Sequence, residues 1–444
     1  METIHFRDLT RIYMLIGGAF CITFFAEWVL VGFLASGPAG AAICGAGLFA
    51  FLVIGVLIIY IALERYDSML SPPPRYVPYY PVQYYYYPQQ GYPPAGYAYY
   101  QPGWYYPPQG QGANYPWGPY YQPRTAYYPA PQQYLPPPQP QPPAESADDA
   151  GNRKPLQLPS ASLLLKVFLA ALAVGGLSLA LGPAVGYAYI VFPIAFIIGF
   201  SFPSLIWISY VYGFEKREPR PSKSILLAFT YGMVSTMPAL VFNTGVAILV
   251  GADAEKATVM ASLLAAAVGA PLIEEFVKPW GVLVVGQHVR SRLDGLIFGV
   301  TCGVGFALIE NISYELSFAL TGQNPAAVWT FGALARGLGS IMIHATGAGL
   351  IGYAYGRYRV KKGSSIWAIP LAYAAAVIMH AAWNGASVLL PELHLWDYLD
   401  IAFIPLFAAG AFLLLRHFIE RGAASELEPG GYIPENAINI YGQK

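Results

Sequence analysis

Long apolar runs punctuated by short polar loops dominate the chain. Ten such runs lie at approximately 11–35, 39–63, 161–182, 187–211, 225–251, 259–285, 295–319, 328–356, 365–391 and 399–416. Apolar stretches of about 20 residues span a bilayer as helices. The pattern therefore predicts an all-α polytopic transmembrane bundle of about ten spans. The first run is too long for a secretory signal peptide, contains Glu27 and is followed almost at once by a second run. It reads as a signal anchor, with Glu27 expected to face the hairpin that the two runs make.

The loops alternate in charge. "FEKREPRPSK" (214–223), "QHVRSR" (287–292) and "GRYRVKK" (356–362) carry the basic residues, whereas "GADAEK" (251–256), "LTGQNPAA" (320–327) and "PELHLWDY" (391–398) hold almost none. Basic loops stay in the cytoplasm. The expected topology is a multi-pass cell-membrane protein with both termini cytoplasmic.

The chain divides into four regions. Residues 1–70 form a two-span hairpin. Residues 71–159 form a linker that reads "PVQYYYYPQQGYPPAGYAYYQPGWYYPPQGQG" and onward, and it holds more than half of the prolines and tyrosines. It has almost no Leu, Ile or Val and cannot build a core. Proline should keep it extended, disordered and on the cytoplasmic side. Residues 160–418 form an eight-span bundle, and 419–444 a polar tail. Pro73-Pro74-Arg75-Tyr76 resembles a motif that aromatic grooves bind, although chance explains it readily in so biased a tract. Tail-mediated protein partners are therefore an expectation of low information content.

Composition fits this reading. Hydrophobic residues make up 56% of the chain and charged residues 11%, against about 25% charged in soluble domains. Net charge is zero, so nothing points to nucleic acid; the partners expected are the lipid bilayer and a membrane-anchored protein. Cys21, Cys44 and Cys302 all lie in apolar runs and form neither a disulfide framework nor a zinc-ligand spacing.

Ionisable residues inside spans are costly and mark functional sites by default. "PLIEEFVKPW" (271–280) places Glu274, Glu275 and Lys278 in one turn of the sixth span. The seventh has Glu310 and Asn311 in "GFALIENISY", the eighth Arg336 and His344 in "ARGLGSIMIHATG", and the ninth His380 and Asn384 in "MHAAWNG". Counting inward from the cytoplasmic ends puts Glu275 roughly 15 Å deep, His344 roughly 18, His380 roughly 22 and Glu310 roughly 25. All four fall in one slab near mid-membrane. Arg336, Ser340 and His344 share a helix face, as do His380 with Asn384 and Phe306 with Glu310. Glu274 and Lys278 are an i,i+4 pair in the favourable order. Pro279 cannot bond back to the carbonyl of Glu275, so a kink is expected. Gly295, Gly299 and Gly303 form a small-residue stripe of the kind that lets helices approach closely.

Glutamate and histidine at one depth can activate water in two ways. They can hold zinc or another divalent metal through Glu275, Glu310, His344 and His380. They can also work without metal, with Glu as base and His or Asn as oxyanion donors. No HExxH motif is present, and spacing does not choose between them. Each residue also has a plainer role open to it: Glu274 with Lys278 as a structural pair, Arg336 as a partner to a carboxylate, either histidine as an interhelix hydrogen bond, Asn384 as support. Midplane Glu/His sets also serve proton- or cation-coupled transporters. A transporter would predict an inverted repeat, and no second EExxK-like segment is present. A catalytically silent scaffold, recruiting partners through the Pro/Tyr tract, is the remaining class.

"EEFVK", "DGLIFGVTCGVGFALIEN", "RGLGSIMIHATGAGLIGY" and "MHAAWN" occur in order on consecutive spans and resemble the PrsW family of intramembrane proteases, relatives of the CAAX-processing and bacteriocin-processing membrane proteases. "EKREPRPSK" resembles the family's Glu-Pro loop. The resemblance covers roughly 161–418. It implies hydrolysis of peptide bonds in or near the membrane, as in cleavage of a membrane-anchored anti-sigma factor. By motif it implies Glu274 and Glu275 as the paired acids and Lys278 as the basic position after them. It also implies Glu310 as the acid of the Phe-xxx-Glu motif and His344 and His380 as the two histidines. Glu275 is the expected general base, tuned by Glu274 and Lys278, with Asn311, Arg336 and Asn384 in support.

Overall fold

A computed structural model describes residues 6–65, 158–182, 188–214, 221–254, 256–320, 324–360, 364–392, 396–428 and 430–433. The Pro/Tyr-rich linker, the Pro-Pro-Arg-Tyr motif and the last residues of the tail lie outside that set, so the expectations about them stay untouched.

Among the described residues, nine helices are long and apolar enough to cross a membrane: α1 (Leu9–Leu34), α2 (Ala161–Leu181), α3 (Val191–Tyr212), α4 (Ser222–Val250), α5 (Val259–Val284), α6 (Arg292–Leu320), α7 (Pro325–Val360), α8 (Ala368–Leu390) and α9 (Ala402–Ser425). The return arm after α1, Ser36–Ala46 with Leu48–Glu64, is a bent pair of apolar helices at 54° that makes a tenth crossing if the two act as one span. The fold is thus the all-α multi-pass bundle expected. Lipid leaves backbone groups no water to bond, and helices satisfy them internally.

The hairpin turns at Ser36 and Gly37, where Gly37 takes φ +65°. Elsewhere the ends obey local chemistry. Thr258 caps α5 by accepting from the Ala261 amide at 3.1 Å. Gly251 closes α4 in the left-handed region. α9 runs on to Ser425, beyond the expected end of the last span. The chain after it returns to the start of α6: Ser291 Oγ donates to Glu426 at 2.6 Å and the Ile433 amide donates to the Arg290 carbonyl at 2.9 Å.

α6 is the axis of the bundle, buried over most of its length up to Ile312 and exposed on one side beyond it. It packs most extensively on α7, then on α4 and α3. The glycine stripe explains the α6–α7 contact. A methyl at Gly295 would strike the Gly352 carbonyl, at Gly299 the Ala348 carbonyl, and at Gly303 the His344 carbonyl. Backbone lies on backbone along this seam, which fixes His344 against α6 near Glu310.

Candidate functional site

Two helices leave α geometry immediately before the site. Leu264–Gly269 in α5 and Arg336–Ser340 in α7 are single π turns. Each extra residue per turn rotates the next stretch of helix around the axis, and such bulges recur at functional sites. After the first come Glu274 and Glu275; the second begins at Arg336 and precedes His344. Pro271 sits in the first turn of Ala270–Val277, and the helix is interrupted again at Lys278 and Pro279. The interruption falls where Pro279 has no amide for the Glu275 carbonyl.

The side chains converge between α5, α6, α7 and α8. Lys278 Nζ lies 2.9 Å from Glu275 Oε1, 3.1 Å from Glu274 Oε2 and bonds to His344 Nδ1. His344 Nε2 is 3.0 Å from Glu310 Oε2, which Arg336 Nη2 also reaches at 2.9 Å. His380 Nδ1 lies 2.9 Å from Glu275 Oε1, and its Nε2 is 3.9 Å from Glu274 Oε2. Glu274, Glu275, Lys278, His344 and His380 are all buried. Removing such charges from water costs several kcal/mol each, and only close pairing offsets it.

The three supporting residues sit at the edges. Asn311 accepts from Arg336 Nε at 2.7 Å. Asn384 Nδ2 lies 3.2 Å from His380 Nε2 and donates to the Ala266 carbonyl, inside the first π turn, at 2.8 Å. With Asn384 donating, His380 Nε2 is the acceptor nitrogen and Nδ1–H points at Glu275. All nine residues singled out in the sequence therefore belong to one connected network.

Other members were not anticipated as members. Asn243 of α4 donates to Glu274 Oε1 at 3.0 Å. Phe306 carries the Lys278 ammonium 4.3 Å from its ring centre and stands 5.6 Å from the His344 ring. Tyr314 holds the Arg336 guanidinium 3.8 Å over its ring. Gly347 leaves room for Glu275 Oε2, which a methyl there would displace. Tyr314 lies one turn beyond Glu310 and Phe306 one turn before it, so i±4 spacing from the acid could have found both. Asn243 sits on another span and had no sequence signal.

The network opens onto a cavity of about 220 Å³ lined by Thr23, Glu27, Thr236, Asn243, Glu274, Phe306, Glu310 and Tyr314 among others. Glu274 and Glu310 face it. Glu275 does not line it and lies behind, fully buried. Glu27, expected to face only its own hairpin, instead lines this cavity.

The donor atoms bear on a metal. Among the described residues, Glu274, His344 and His380 each offer a ligand atom within 4.8 Å of the others. This set differs from the one expected: Glu274 takes part, while Glu275 and Glu310 stand behind the histidines. Each imidazole is backed by a carboxylate on one nitrogen, His380 by Glu275 and His344 by Glu310. Such backing is usual for metal-bound histidine. Glu274 Oε2 is buried with no hydrogen bond. In donor chemistry the set fits a divalent ion. Lys278 Nζ, however, contacts Glu274 Oε2 and His344 Nδ1 itself, so a metal would require the ammonium to withdraw.

Residues 220–410 match the family model described as PrsW family intramembrane metalloprotease. Over those residues the chain is similar to the PrsW family. It covers α4 to α8 and the first turns of α9, and leaves α1, its return arm, α2 and α3 outside. A Protease PrsW from Geobacillus kaustophilus is 27% identical over 168 residues, 36% of this chain and 66% of that protein. A Protease PrsW from Bacillus subtilis is 22% identical over 208 residues, 46% of this chain and 85% of that protein. No solved structure matches the chain significantly.

Proposed function

We propose that the chain is an intramembrane endopeptidase that hydrolyses peptide bonds of membrane-associated proteins. One observation carries the reading: a buried Glu/Lys/His network opens, through Glu274 and Glu310, onto a cavity within the spans. The two relatives named as proteases support it. A membrane-anchored, anti-sigma-like signalling protein is the substrate class we infer from the family resemblance. The topology we propose keeps both termini cytoplasmic.

The general-base role expected of Glu275 moves to Glu274 in this reading. Glu274 lines the cavity, whereas Glu275 lies behind it with Oε1 taken up by Lys278 and His380. The Glu274 carboxylate takes a proton from a water in the cavity as the water oxygen attacks the peptide carbonyl; when the tetrahedral oxyanion collapses, the C–N bond breaks and Glu274 returns that proton to the leaving amine. Lys278 Nζ supplies a fixed positive charge beside the oxyanion that develops, in surroundings that screen it little. Glu275 orients Lys278 and His380. Arg336 neutralises Glu310 in the wall. A divalent metal held by Glu274, His344 and His380 would supply Lewis-acid polarisation and an acidified water.

The test uses purified full-length protein, the Glu274→Gln and Glu275→Gln variants and a membrane-protein reporter, with and without a strong chelator. Bound metal is measured in the same sample. Loss of cleavage in both variants supports the reading. Chelator inhibition with stoichiometric metal assigns the water activation to a metal, and its absence to Glu274. Variants that cleave as fast as the parent overturn the proposal.

A further inference from the structure

α1 lies outside the matched family segment, yet it walls the cavity. Its bundle-facing stripe is Ile12, Leu15, Ile16 and Ala19, all buried in the common core. Tyr13 Oη bonds Ser201 Oγ of α3 at 2.9 Å, and Lys223 of α4 pairs with Glu64 of the return arm at 2.8 Å. The hairpin is thus fastened to the bundle near one end of α1. One and two turns past Ala19 the same stripe continues as Thr23 and Glu27. Here it ceases to be apolar, and both residues line the cavity with Glu274 and Glu310.

The polarity is not used by the fold. Thr23 Oγ1 is buried without a hydrogen-bond partner. Glu27 is exposed and makes no ion pair among the described residues. The other two carboxylates of the cavity already have cations, Lys278 for Glu274 and Arg336 for Glu310. Glu27 adds negative charge to a wall in which Glu274 already shares Lys278 with Glu275.

We propose that α1 is the substrate-selecting wall of the site, and that Glu27 is a specificity residue favouring a Lys or Arg side chain close to the cleaved bond. The inference rests on the peptidase reading above. A basic side chain entering the cavity would meet Glu27 as its counter-charge, while an acidic one would face a like charge in a site of restricted water. Specificity built this way works by rejection as much as by attraction.

The experiment uses the full chain in liposomes with single-span fluorogenic peptides that are identical except for Lys, Gln or Glu at each position flanking the cut. The parent should cleave the best Lys peptide about tenfold faster than its Glu counterpart, as one charge pair of modest strength allows. Glu27→Lys should reverse that order, and the milder Glu27→Gln should bring the two peptides to about equal rates. A Lys-to-Glu ratio unchanged in both variants, with cleavage retained, overturns the role of Glu27 and leaves the peptidase reading standing. Glu274→Gln and Glu275→Gln cleaving like the parent would remove the peptidase reading and this inference with it.

Discussion

Lys278 is the residue on which the electrostatics of the site turn. Its one charge touches two carboxylates and an imidazole, all buried. Lys278→Met would leave Glu274 and Glu275 facing each other without a cation. Breaking a buried pair in this way costs about 3–5 kcal/mol. Thermal unfolding in detergent should show a markedly lowered midpoint, and cleavage should vanish. Glu275→Gln should reduce kcat at least about a hundredfold, as removal of a group that organises acid–base chemistry does. Asn243→Ala should act more gently, by roughly tenfold in kcat/KM, because it removes one hydrogen bond to Glu274. Steady-state kinetics with one reporter separate the two. The identities of these residues were legible in the sequence because charge within an apolar run has little structural reason to exist. Their roles were less so. Adjacent Glu274 and Glu275 look equivalent along the chain, and only their directions in space put one at the cavity and the other behind it.

At the scale of elements, two features govern the site: the glycine seam and the π turns. A methyl at Gly303 would press on the carbonyl of His344 itself. Gly303→Ala should therefore part α6 from α7 at that level, at a cost of about 1–3 kcal/mol for overpacking. It should also lower cleavage by disturbing His344 relative to Glu310. Gly245→Ala, where nothing lies near the added carbon, is the control and should leave the unfolding midpoint nearly unchanged. The seam was readable from the Gly295, Gly299, Gly303 spacing. The π turns were not, because neither "LAAAVG" nor "RGLGS" holds a residue pattern that marks a π turn. The second begins at Arg336 and precedes His344, the two residues that reach Glu310.

Among the described residues, eight other long apolar helices and a bent return arm accompany α6 in the bundle. Their number and order came from run length alone, since a bilayer fixes how many apolar residues a crossing needs. Orientation rests on the basic loops and is open to measurement. After Cys21, Cys44 and Cys302 are replaced by Ser, a membrane-impermeant thiol reagent should label Asp253→Cys on intact cells. It should label Ser364→Cys only after permeabilisation. What the sequence could not convey was the docking of α1. Its interior face looked like any lipid-facing helix until the bundle put Thr23 and Glu27 beside Glu274.

α6 has a further consequence, for how the protein is made. It carries Asp294, Glu310, Asn311 and Glu315, and from Leu293 to Ile312 it is shielded by its neighbours. A charged residue near the centre of a lone segment raises the cost of leaving the translocon by about 2.5–3.5 kcal/mol. α6 is therefore a poor passenger by itself. Its glycine face has its partner in α7, which is synthesised later and brings the cation for Glu310. During biogenesis α6 must wait at the translocon, or beside an insertase, until α7 emerges and the two enter the bilayer as a pair. A ribosome stalled between them would leave α6 exposed to quality-control proteolysis.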